Sequence, residues 1–522
     1  MSKLADVNTT DLRAAIEASC KTMCSVFNAD DNNIPFFTTE VYPEVYMAFH
    51  PSLSESHVPG RHLNALLTAQ DLLGIPIGEE NITKHAEAAF FSYSGPVLLP
   101  LNREIEGQSI PNRLLIHNIR EGFHALYALV KYRGSERAKE LAEKSIAEIH
   151  RFWNPDTDWD IKRLEECGVT VVSRNSFIQE LGRSIGPLVK YYRATGYAPA
   201  LELALTLKEK AITEYYKPDG DFDPKLFGTT HTHSVTCVMS SLAQLGDLLQ
   251  DAELIERVRA FYDNGLWKLR DELGWAVEAY GSEKNPDRGE TNSSGDIVET
   301  ALILGKWGYP QYYQDAERIL RGHLLPSQLR DVSFIRDPKN PQNKDGLRDV
   351  AKRHFGAYGF PAPYGHFPAD AGKVKFNMDI VGGTVGSLCE AYHCAVTYED
   401  GVHRVNLLFD LDNENISVQS LYTHDSLKIV LKQPGALFVR IPSWVDRERI
   451  TVDGAKPGGF HNGYLFLSKT AVNQLVTIHF KLVKSEMVLR HRTRDIRVRM
   501  LGDRVVAMDN FGMDHTFFDA ID

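Results

Sequence analysis

The sequence predicts a mainly α protein with a β domain, in which an (α/α)6 toroid of six helical hairpins is followed by a β-sandwich. Three observations lead to this prediction. Residues 9–400 carry apolar side chains at helical spacing, short alternating runs replace that spacing after Thr397, and 522 residues exceed the size of one hydrophobic core. The expected domains are residues 1–397 and residues 398–522.

The helical region divides into twelve segments separated by breaks rich in Gly, Pro, Asp and Asn. The segments span residues 9–28, 61–74, 79–91, 116–133, 136–153, 176–195, 197–214, 231–249, 251–269, 291–306, 310–327 and 380–397. Short links, such as residues 132–135 and 195–197, favour antiparallel neighbours. Twelve helices therefore make six hairpins that bury their apolar faces by closing into an inner and an outer ring, with an open solenoid as the alternative.

The region after Thr397 has the alternation of half-buried strands. Its runs span residues 403–409, 416–421, 426–431, 436–441, 464–467 and 475–480. The pairs Asp453-Gly454 and Asn462-Gly463 suit tight hairpins, so a sandwich is expected. Residues 328–379 have no clear period and are rich in Pro, Gly, Asn and Asp, and a long irregular loop of this kind is expected to shape the mouth of the ring.

Composition limits the partners and the compartment. A formal charge of −11, with Lys and Arg spread along the chain, argues against nucleic-acid binding. No stretch reaches the roughly 18 apolar residues of a membrane span, and residues 1–14 lack the features of a signal peptide. The six cysteines are scattered, as free thiols of a reducing compartment would be. We expect a soluble cytoplasmic protein with no nucleic-acid or membrane partner, and the sequence leaves its oligomeric state open.

Several stretches resemble glycoside hydrolase family 127, the β-L-arabinofuranosidase family, and the resemblance covers most of the chain. In the predicted sandwich, residues 438–444 read FVRIPSW and resemble the family's RIPSW segment. In the predicted ring, the segments around His117 and His233 resemble family segments whose histidines face the sugar. The resemblance implies a six-hairpin glycosidase fold and a sugar as substrate.

Two glutamates twelve residues apart, Glu278 and Glu290, resemble the family's acid and its metal-ligating glutamate, in that order. The family also has a Cys two residues after the second glutamate and a Cys pair at the start of the last ring helix, which hold zinc and supply the thiolate nucleophile. Here those positions are Asn292 and residues 380–383, which contain no sulfur. Because Asn and Gly replace neither a thiolate nor a zinc ligand, this divergent chain is expected to use no metal, no cofactor and no cysteine nucleophile.

Glu278 and Glu290 still suit glycosidic cleavage, which needs one protonated carboxyl as acid and one ionised carboxyl as base or nucleophile. A separation of roughly 5 Å would predict retention of configuration and roughly 6.5 to 9.5 Å inversion. The missing thiolate favours a water nucleophile. The structural alternative is that Glu290 caps its helix and that Glu278 is a solvated loop residue.

Seven further side chains are predicted to bind substrate: His62, His117, His233, Asn292, Asp296, Tyr364 and His366. His231 and His233 straddle Thr232, and because this spacing turns only one ring inward, we choose His233. For Asp296 and for Glu299, which follows it on the same helix, surface exposure is the alternative. Tyr364 and His366 lie among aromatic residues of the irregular loop, where packing is the alternative to stacking on a sugar.

The leading hypothesis is a glycoside hydrolase-like enzyme that acts on a small sugar or oligosaccharide without zinc. Glu278 is then the acid, Glu290 the base or transition-state stabiliser, and His117 and His233 are binders. One alternative is a lyase, isomerase, dehydratase or cyclase that uses the same pocket on a small molecule. Another is a ligand-binding protein without catalysis.

Overall fold

The computed structural model describes residues 2–281, 287–368, 372–490 and 494–521. These residues form fifteen α-helices: α1 (Leu12–Met23), α2 (Val58–Leu73), α3 (Glu79–Ser92), α4 (Ile119–Arg133), α5 (Glu136–Phe152), α6 (Ile161–Glu166), α7 (Ile185–Thr195), α8 (Ala198–Lys210), α9 (Pro224–Phe227), α10 (Thr232–Leu249), α11 (Ala252–Asp263), α12 (Thr291–Lys306), α13 (Gln311–Ile319), α14 (Val350–Arg353) and α15 (Met378–Ala395). Three of them, α6, α9 and α14, are short connecting helices. Each of the other twelve overlaps one of the twelve predicted segments, with ends that differ by up to nine residues.

The twelve long helices alternate along the chain between an outer and an inner ring. Helices α2, α4, α7, α10, α12 and α15 form the inner ring, in which each packs against the next and α15 closes onto α2. Helices α3, α5, α8, α11 and α13 each pack outside the inner helix that precedes them, and α1 packs on α15 and α2. The predicted six-hairpin toroid is therefore confirmed, and its closure contradicts the open solenoid.

The burial of each helix follows from its sequence. Outer helix α5 buries one stripe that includes Ala138, Ala142, Ile146 and Ile149, as expected for a helix with one apolar face. Inner helix α10 is buried on nearly all sides because its residues are small or apolar almost throughout. Within the described residues, no helix has both the length and the apolar composition needed to cross a bilayer.

All six inner helices run in the same direction, because each is separated from the next by an antiparallel outer helix. Tight turns make this alternation possible. Gly134, for example, ends α4 in a left-handed conformation that favours glycine, and Ser135 then caps α5 by accepting a hydrogen bond from Ala138 N. The N-termini of the inner helices consequently meet at one end of the ring, which we call the mouth.

Strands begin at Val396, directly after α15, and build two five-stranded sheets that share one apolar core. In spatial order, one sheet contains Leu411–Asp412, Ile416–Gln419, Leu427–Leu431, Leu475–His479 and Thr451–Asp453, and the other contains Lys456–His461, Tyr464–Ser468, Ala436–Arg440, Val402–Val405 and Val396–Glu399. Ala436–Arg440 and Val402–Val405 pair in parallel, and the other neighbours are antiparallel. The predicted β part after the ring is confirmed, and each of the six predicted runs contains a strand.

Several strands were not predicted. A three-stranded sheet follows the sandwich, formed by Lys484–Arg490, Asp495–Leu501 and Arg504–Met508. A second three-stranded sheet joins Tyr46–Ala48, Thr38–Tyr42 and Val374–Asn377, and two small pairs join Arg113–Leu114 to Thr170–Val171 and Trp153–Asn154 to Asp158–Trp159. Because Val374–Asn377 leads directly into α15, the second sheet fixes where the last inner helix begins.

The ring and the sandwich meet through a buried ion-pair network. Glu317 of α13 accepts hydrogen bonds from the Arg321 and Arg440 guanidinium groups, and all three side chains are at most 2 % exposed. Arg440 comes from the sandwich strand Ala436–Arg440, whereas Arg321 follows α13. A carboxylate of the ring thus pairs with guanidinium groups from both parts inside the interface.

Candidate active site

Glu290 lies at the mouth, one residue before the first turn of α12. Its backbone is extended, and the backbone N–H groups of Glu290 and Thr291 donate to the carbonyls of Ala276 (3.2 Å) and Gly359 (3.2 Å). The side chain is 5 % exposed and makes no capping hydrogen bond to the helix. Glu290 therefore occupies the N-cap position of α12, but its carboxylate does not cap the helix by a hydrogen bond.

Three side chains surround the Glu290 carboxylate. His231 Nε2 lies 3.4 Å from Oε2, His233 Nδ1 lies 3.6 Å from Oε1, and the Asn292 amide donates to Oε1 at 3.0 Å. Burial would raise the pKa of Glu290, but the hydrogen bond and charge of His231, with a contribution from Arg61, lower it below its ordinary value. Glu290 is thus held as a carboxylate, the form that a general base requires.

Glu278 is placed beside Glu290 by a hairpin in which Glu278 N donates to Arg288 O at 2.9 Å. The Glu278 carbonyl in turn accepts from Thr232 N (3.0 Å), which ties the hairpin to the start of α10. The side chain, 28 % exposed, pairs with Arg288 Nε at 2.9 Å. Burial and the Glu290 charge raise the pKa of Glu278 above its ordinary value, against the lowering effect of Arg288 and His231. The pKa of Glu278 is thus shifted in the direction that a general acid requires.

Both histidines near Thr232 face Glu290, so the choice of His233 alone was wrong. His231 precedes the first turn of α10 with φ −77° and ψ 99°, so helical spacing does not govern where its ring points. Its Nδ1 is bonded to Ser234 Oγ at 2.9 Å, which leaves Nε2 towards Glu290. His231 therefore joins the site through its position at a helix N-terminus.

Asp296 lies behind His233, one level deeper in the ring. Its Oδ2 is 3.5 Å from His233 Nε2 and accepts from the Thr236 hydroxyl at 2.9 Å. Burial and the neighbouring Glu299 raise the pKa of Asp296 to about 7, against the charge of Arg120. The surface alternative for Asp296 is wrong, and its partner is the imidazole of His233. Glu299 also points inward, where it accepts from the Ser240 and Ser387 hydroxyls.

His117 forms one wall of the mouth. Its ring stacks on His57 with centroids 5.4 Å apart and lies 5.8 Å from His231. Its Nδ1 is bonded to the Gln179 carbonyl at 2.9 Å. Burial, assisted by the charges of Arg183 and His57, lowers the pKa of His117 well below its ordinary value, so the ring is neutral at pH 7. A neutral imidazole in this place is suited to hydrogen-bond a hydroxyl group.

Sequence reasoning missed a buried charge network at the starts of the other inner helices. Glu121 Oε1 accepts from Arg61 (3.0 Å) and Arg183 (3.2 Å). Asp379 Oδ2 lies 3.1 Å from His57 Nε2 and 3.5 Å from Arg61 Nε. The available signal was that Arg61 and Glu121 lie in the first turns of predicted inner helices, and that His57 and Asp379 lie within four residues before such helices, where parallel helices bring their N-termini together. Arg183 also lies 3.5 Å from His233 Nδ1, which connects this network to the Glu290 cluster.

Three residues predicted to bind substrate pack elsewhere. The fully buried ring of His62 bonds to Met378 O at 2.7 Å, and burial lowers its pKa to about 4. The Tyr364 hydroxyl donates to Asp287 at 2.8 Å within a second apolar cluster. His366 packs edge-on against Phe517, and burial lowers its pKa to about 3. For all three, packing in the interior replaces the predicted contact with substrate.

The zinc site implied by the family does not fit the residues present. Asn292, Gly382 and Gly383 occupy the region in which the family has cysteines, and none carries sulfur. His231, His233 and Glu290 do place three ligand atoms within 4.8 Å of one another. However, the Arg183 guanidinium lies 3.5 Å from the same His233 nitrogen that would bind a metal. A cation would compete with this fixed positive charge, so no step below passes through a metal.

No protein-family model matches the sequence, and no curated protein matches it. Solved structures match the fold. A GH127 β-arabinofuranosidase is 14 % identical with a TM-score of 0.56, covering 94 % of this chain and 79 % of its own. The GH127 β-L-arabinofuranosidase of Geobacillus stearothermophilus T6 is 14 % identical with a TM-score of 0.53, and the match covers 94 % of this chain and 80 % of that enzyme. A sugar epimerase from a ruminal bacterium is 13 % identical with a TM-score of 0.52, covering 73 % and 98 %. At these identities the likeness concerns the fold, a ring that carries sugar-processing enzymes.

Proposed function

We propose that the chain is a glycoside hydrolase that cleaves a small sugar or oligosaccharide with two carboxyls and a water molecule. One observation carries the proposal: neighbouring carboxyls at the mouth have pKa values shifted in opposite directions, upward for Glu278 and downward for Glu290. Such a pair supplies one acid and one base at the same pH. The shared fold of β-arabinofuranosidases supports sugar as the substrate class.

The proposed reaction uses each group in the form that its surroundings favour. Glu278 donates its proton to the glycosidic oxygen as the bond from that oxygen to the anomeric carbon breaks. A water molecule attacks the same carbon, and Glu290 removes a proton from that water. His231 and Asn292 are positioning residues, because their contacts hold the Glu290 carboxylate in place.

The substrate-binding roles follow from the walls of the mouth. His117 presents a neutral imidazole that suits a hydrogen bond to a sugar hydroxyl. The predicted binding role of His233 becomes an indirect one, because its two ring nitrogens lie towards Glu290 and Asp296. The Arg288 guanidinium, paired with Glu278, lies 3.9 Å from the centroid of the Phe360 ring. Arg288 thus lies between the acid and the aromatic ring of Phe360.

The acid role predicts how Glu278→Gln depends on the leaving group. With an unactivated disaccharide, kcat should fall by about 10²- to 10⁴-fold, because proton donation is lost. With a p-nitrophenyl glycoside the loss should be much smaller, since that leaving group departs without protonation. Glu290→Gln should abolish turnover of both substrates, and the exposed Glu253→Gln serves as control. Equal losses of Glu278→Gln on both substrates would contradict the acid assignment.

The water nucleophile predicts the stereochemistry of the product. Direct attack by water inverts the anomeric configuration, whereas a covalent intermediate would retain it. Proton NMR in the first minutes of hydrolysis, before mutarotation, should therefore show the inverted anomer. A retained anomer would identify an enzyme nucleophile and overturn the proposed role of water.

Sugar epimerisation is a second candidate function. It is favoured by the three imidazoles of His117, His231 and His233 around one mouth, since His is the commonest proton-transfer side chain, and by the shared fold of a sugar epimerase. Incubation of an unmodified sugar in D₂O distinguishes the two functions. An epimerase acting by proton abstraction incorporates deuterium at a carbon atom, whereas a hydrolase releases a shorter sugar without carbon-bound deuterium.

A further inference from the structure

A narrow cavity of about 30 Å³ lies on the axis of the ring, below the mouth. At its upper end it is lined by His233 and Asn292, which contact Glu290. At its lower end it is lined by Lys190, Gln244 and Glu299, which also line a groove of about 620 Å³ between the ring and the sandwich. The cavity therefore lies between residues that contact Glu290 and residues that line the groove on the opposite face of the ring.

The lining of this cavity carries polar atoms that no described protein group satisfies. They are Arg61 Nη1, Asn64 Oδ1, Arg120 Nε, His124 Nδ1 and Asn292 Oδ1, all of them buried. Buried donors and acceptors are nearly always hydrogen-bonded, to protein or to ordered water. A volume of roughly 10 to 15 Å³ accommodates one water molecule, so the cavity has room for water at these atoms.

Glycines keep the axis open. A side chain at Gly383 would place its Cβ 2.2 Å from Asn292 Oδ1 and 2.6 Å from Arg61 Nη1. One at Gly186 would lie 2.8 Å from Ser241 Oγ. Both glycines line the cavity, and the missing side chain at Gly383 leaves space beside the unsatisfied atoms of Asn292 and Arg61.

Between these glycines and the groove, the axis is lined by side chains that can form hydrogen bonds. Glu299 accepts from Ser240 Oγ (2.9 Å) and Ser387 Oγ (2.8 Å), and Gln244 Nε2 donates to Ser240 Oγ at 3.2 Å. Apolar side chains would interrupt a chain of hydrogen-bonded water molecules, but these side chains offer hydroxyl, amide and carboxylate groups one after another along the axis. The polar lining thus extends from Asn292 to Gln244.

We propose that the ring axis is a hydrated passage through which water reaches the catalytic cluster when a sugar closes the mouth. This rests on the proposed function, because hydrolysis consumes one water for each bond cleaved. The water oxygen bonds to the anomeric carbon, one of its protons goes to Glu290, and the leaving oxygen takes the proton of Glu278. Water from the groove replaces the consumed molecule, so sugar and water enter from opposite faces.

The first test needs no substrate. A high-resolution crystal structure should show ordered water within hydrogen-bonding distance of Arg61 Nη1 and Asn292 Oδ1. A crystal pressurised with xenon should show no xenon on the axis, because xenon occupies dry apolar cavities. Xenon in the cavity, or a cavity without water density, would overturn the passage.

The second test closes the passage by mutation at Gly386, which lines it on α15. A Cβ there would make only an ordinary contact, 3.6 Å from Asn64 Nδ2, so Gly386→Ala should fold and act like the parent. Gly386→Leu should fill the axis and lower kcat by about tenfold or more with KM unchanged. Equal kcat for the Leu and Ala variants, at equal melting temperatures, would refute water delivery along the axis.

The two tests separate this inference from the proposed function. If the protein hydrolyses no member of a glycoside panel while the axis holds ordered water, the proposed function is wrong. The axis is then hydrated, but the claim that it delivers water for hydrolysis is refuted as well. If hydrolysis occurs while the axis is dry, the passage fails and the hydrolase stands. Should Gly386→Leu melt far below the parent, Gly386→Val replaces it, and a parental kcat for that variant counts against the passage.

Discussion

Buried carboxylates in this ring differ in protonation because their neighbours differ. Glu121 is buried, yet the charges of Arg183, His57 and Arg61 lower its pKa well below the ordinary value. Asp296 is also buried, but burial and the nearby Glu299 outweigh Arg120 and raise its pKa to about 7. The number and distance of the cations thus decide which buried acid keeps its proton.

The raised pKa of Asp296 predicts a pH-dependent stability. The folded protein keeps this proton up to about pH 7, whereas the unfolded chain loses it near the ordinary pKa of 3.8. The wild type therefore loses stability as the pH rises from about 4 to 7. Asp296→Asn removes that effect. Its melting temperature relative to wild type should therefore be higher at pH 8 than at pH 5.

The matched control for Asp296 is Asp247→Asn. Asp247 pairs with Lys306 and Arg193, and although burial would raise its pKa, the Lys306 interaction lowers it below the ordinary value. Asp247 is therefore charged throughout the range from pH 5 to pH 8. The melting temperature of Asp247→Asn should lie below that of the wild type by the same amount at pH 5 and at pH 8. If the melting temperature of Asp296→Asn relative to wild type were the same at pH 5 and pH 8, the raised pKa of Asp296 would be contradicted.

At the scale of helices, the mouth depends on how closely α2 and α4 approach each other. Gly60 of α2 lies so near the backbone of α4 that an added Cβ would be 1.9 Å from the carbonyl oxygen of Glu121. Arg61, the next residue, reaches the carboxylate of the same Glu121 at 3.0 Å. The absence of a side chain at Gly60 is thus what allows the charge network to form.

Gly60→Ala is expected to destabilise the protein by about 1 to 3 kcal/mol or more, because a backbone carbonyl cannot move aside as a flexible side chain can. Urea unfolding followed by circular dichroism measures the change. Gly386→Ala on α15 is the matched control, since its Cβ meets nothing closer than 3.6 Å. Similar free energies of unfolding for the two variants would mean that α2 and α4 are not in close contact here.

At the scale of the whole molecule, the FVRIPSW run has a structural role. Arg440 within it pairs with Glu317 of the ring, and the backbone N–H of Ser443 donates to Gln314 of α13 at 2.8 Å. Trp444 Nε1 donates to Asp503 at 2.9 Å on the other side. The segment that resembles the family's RIPSW motif therefore docks the sandwich onto the ring and lies outside the Glu290 cluster.

Removal of the central charge of this interface should be costly. Glu317→Gln leaves Arg321 and Arg440 buried without their counter-charge, and we expect a loss of about 3 to 5 kcal/mol in the free energy of unfolding. Urea denaturation measures it, with the exposed Glu253→Gln as control. A loss below about 1 kcal/mol would show that the two parts are held together by other contacts.

The sequence by itself determined the elements and two of the central residues. Helices and strands follow from local spacing of apolar residues, so all twelve ring helices and six of the ten sandwich strands were predicted, with bounds that overlap the observed ones. Glu278 and Glu290 were found from their spacing and from the family resemblance. Their partners were only partly found, because a helical periodicity rule does not apply to His231, which lies outside the helix.

Only the tertiary structure decided which side chains meet and in what protonation state. His57, Glu121, Arg183 and Asp379 come from the starts of four inner helices, and no local pattern records that these starts converge. The same holds for His62, which a helical pattern places on α2 without showing that its ring bonds to Met378. Burial and charge depend on neighbours distant in sequence, so the opposite pKa shifts of the two glutamates and the polar axis appear only after the ring has closed.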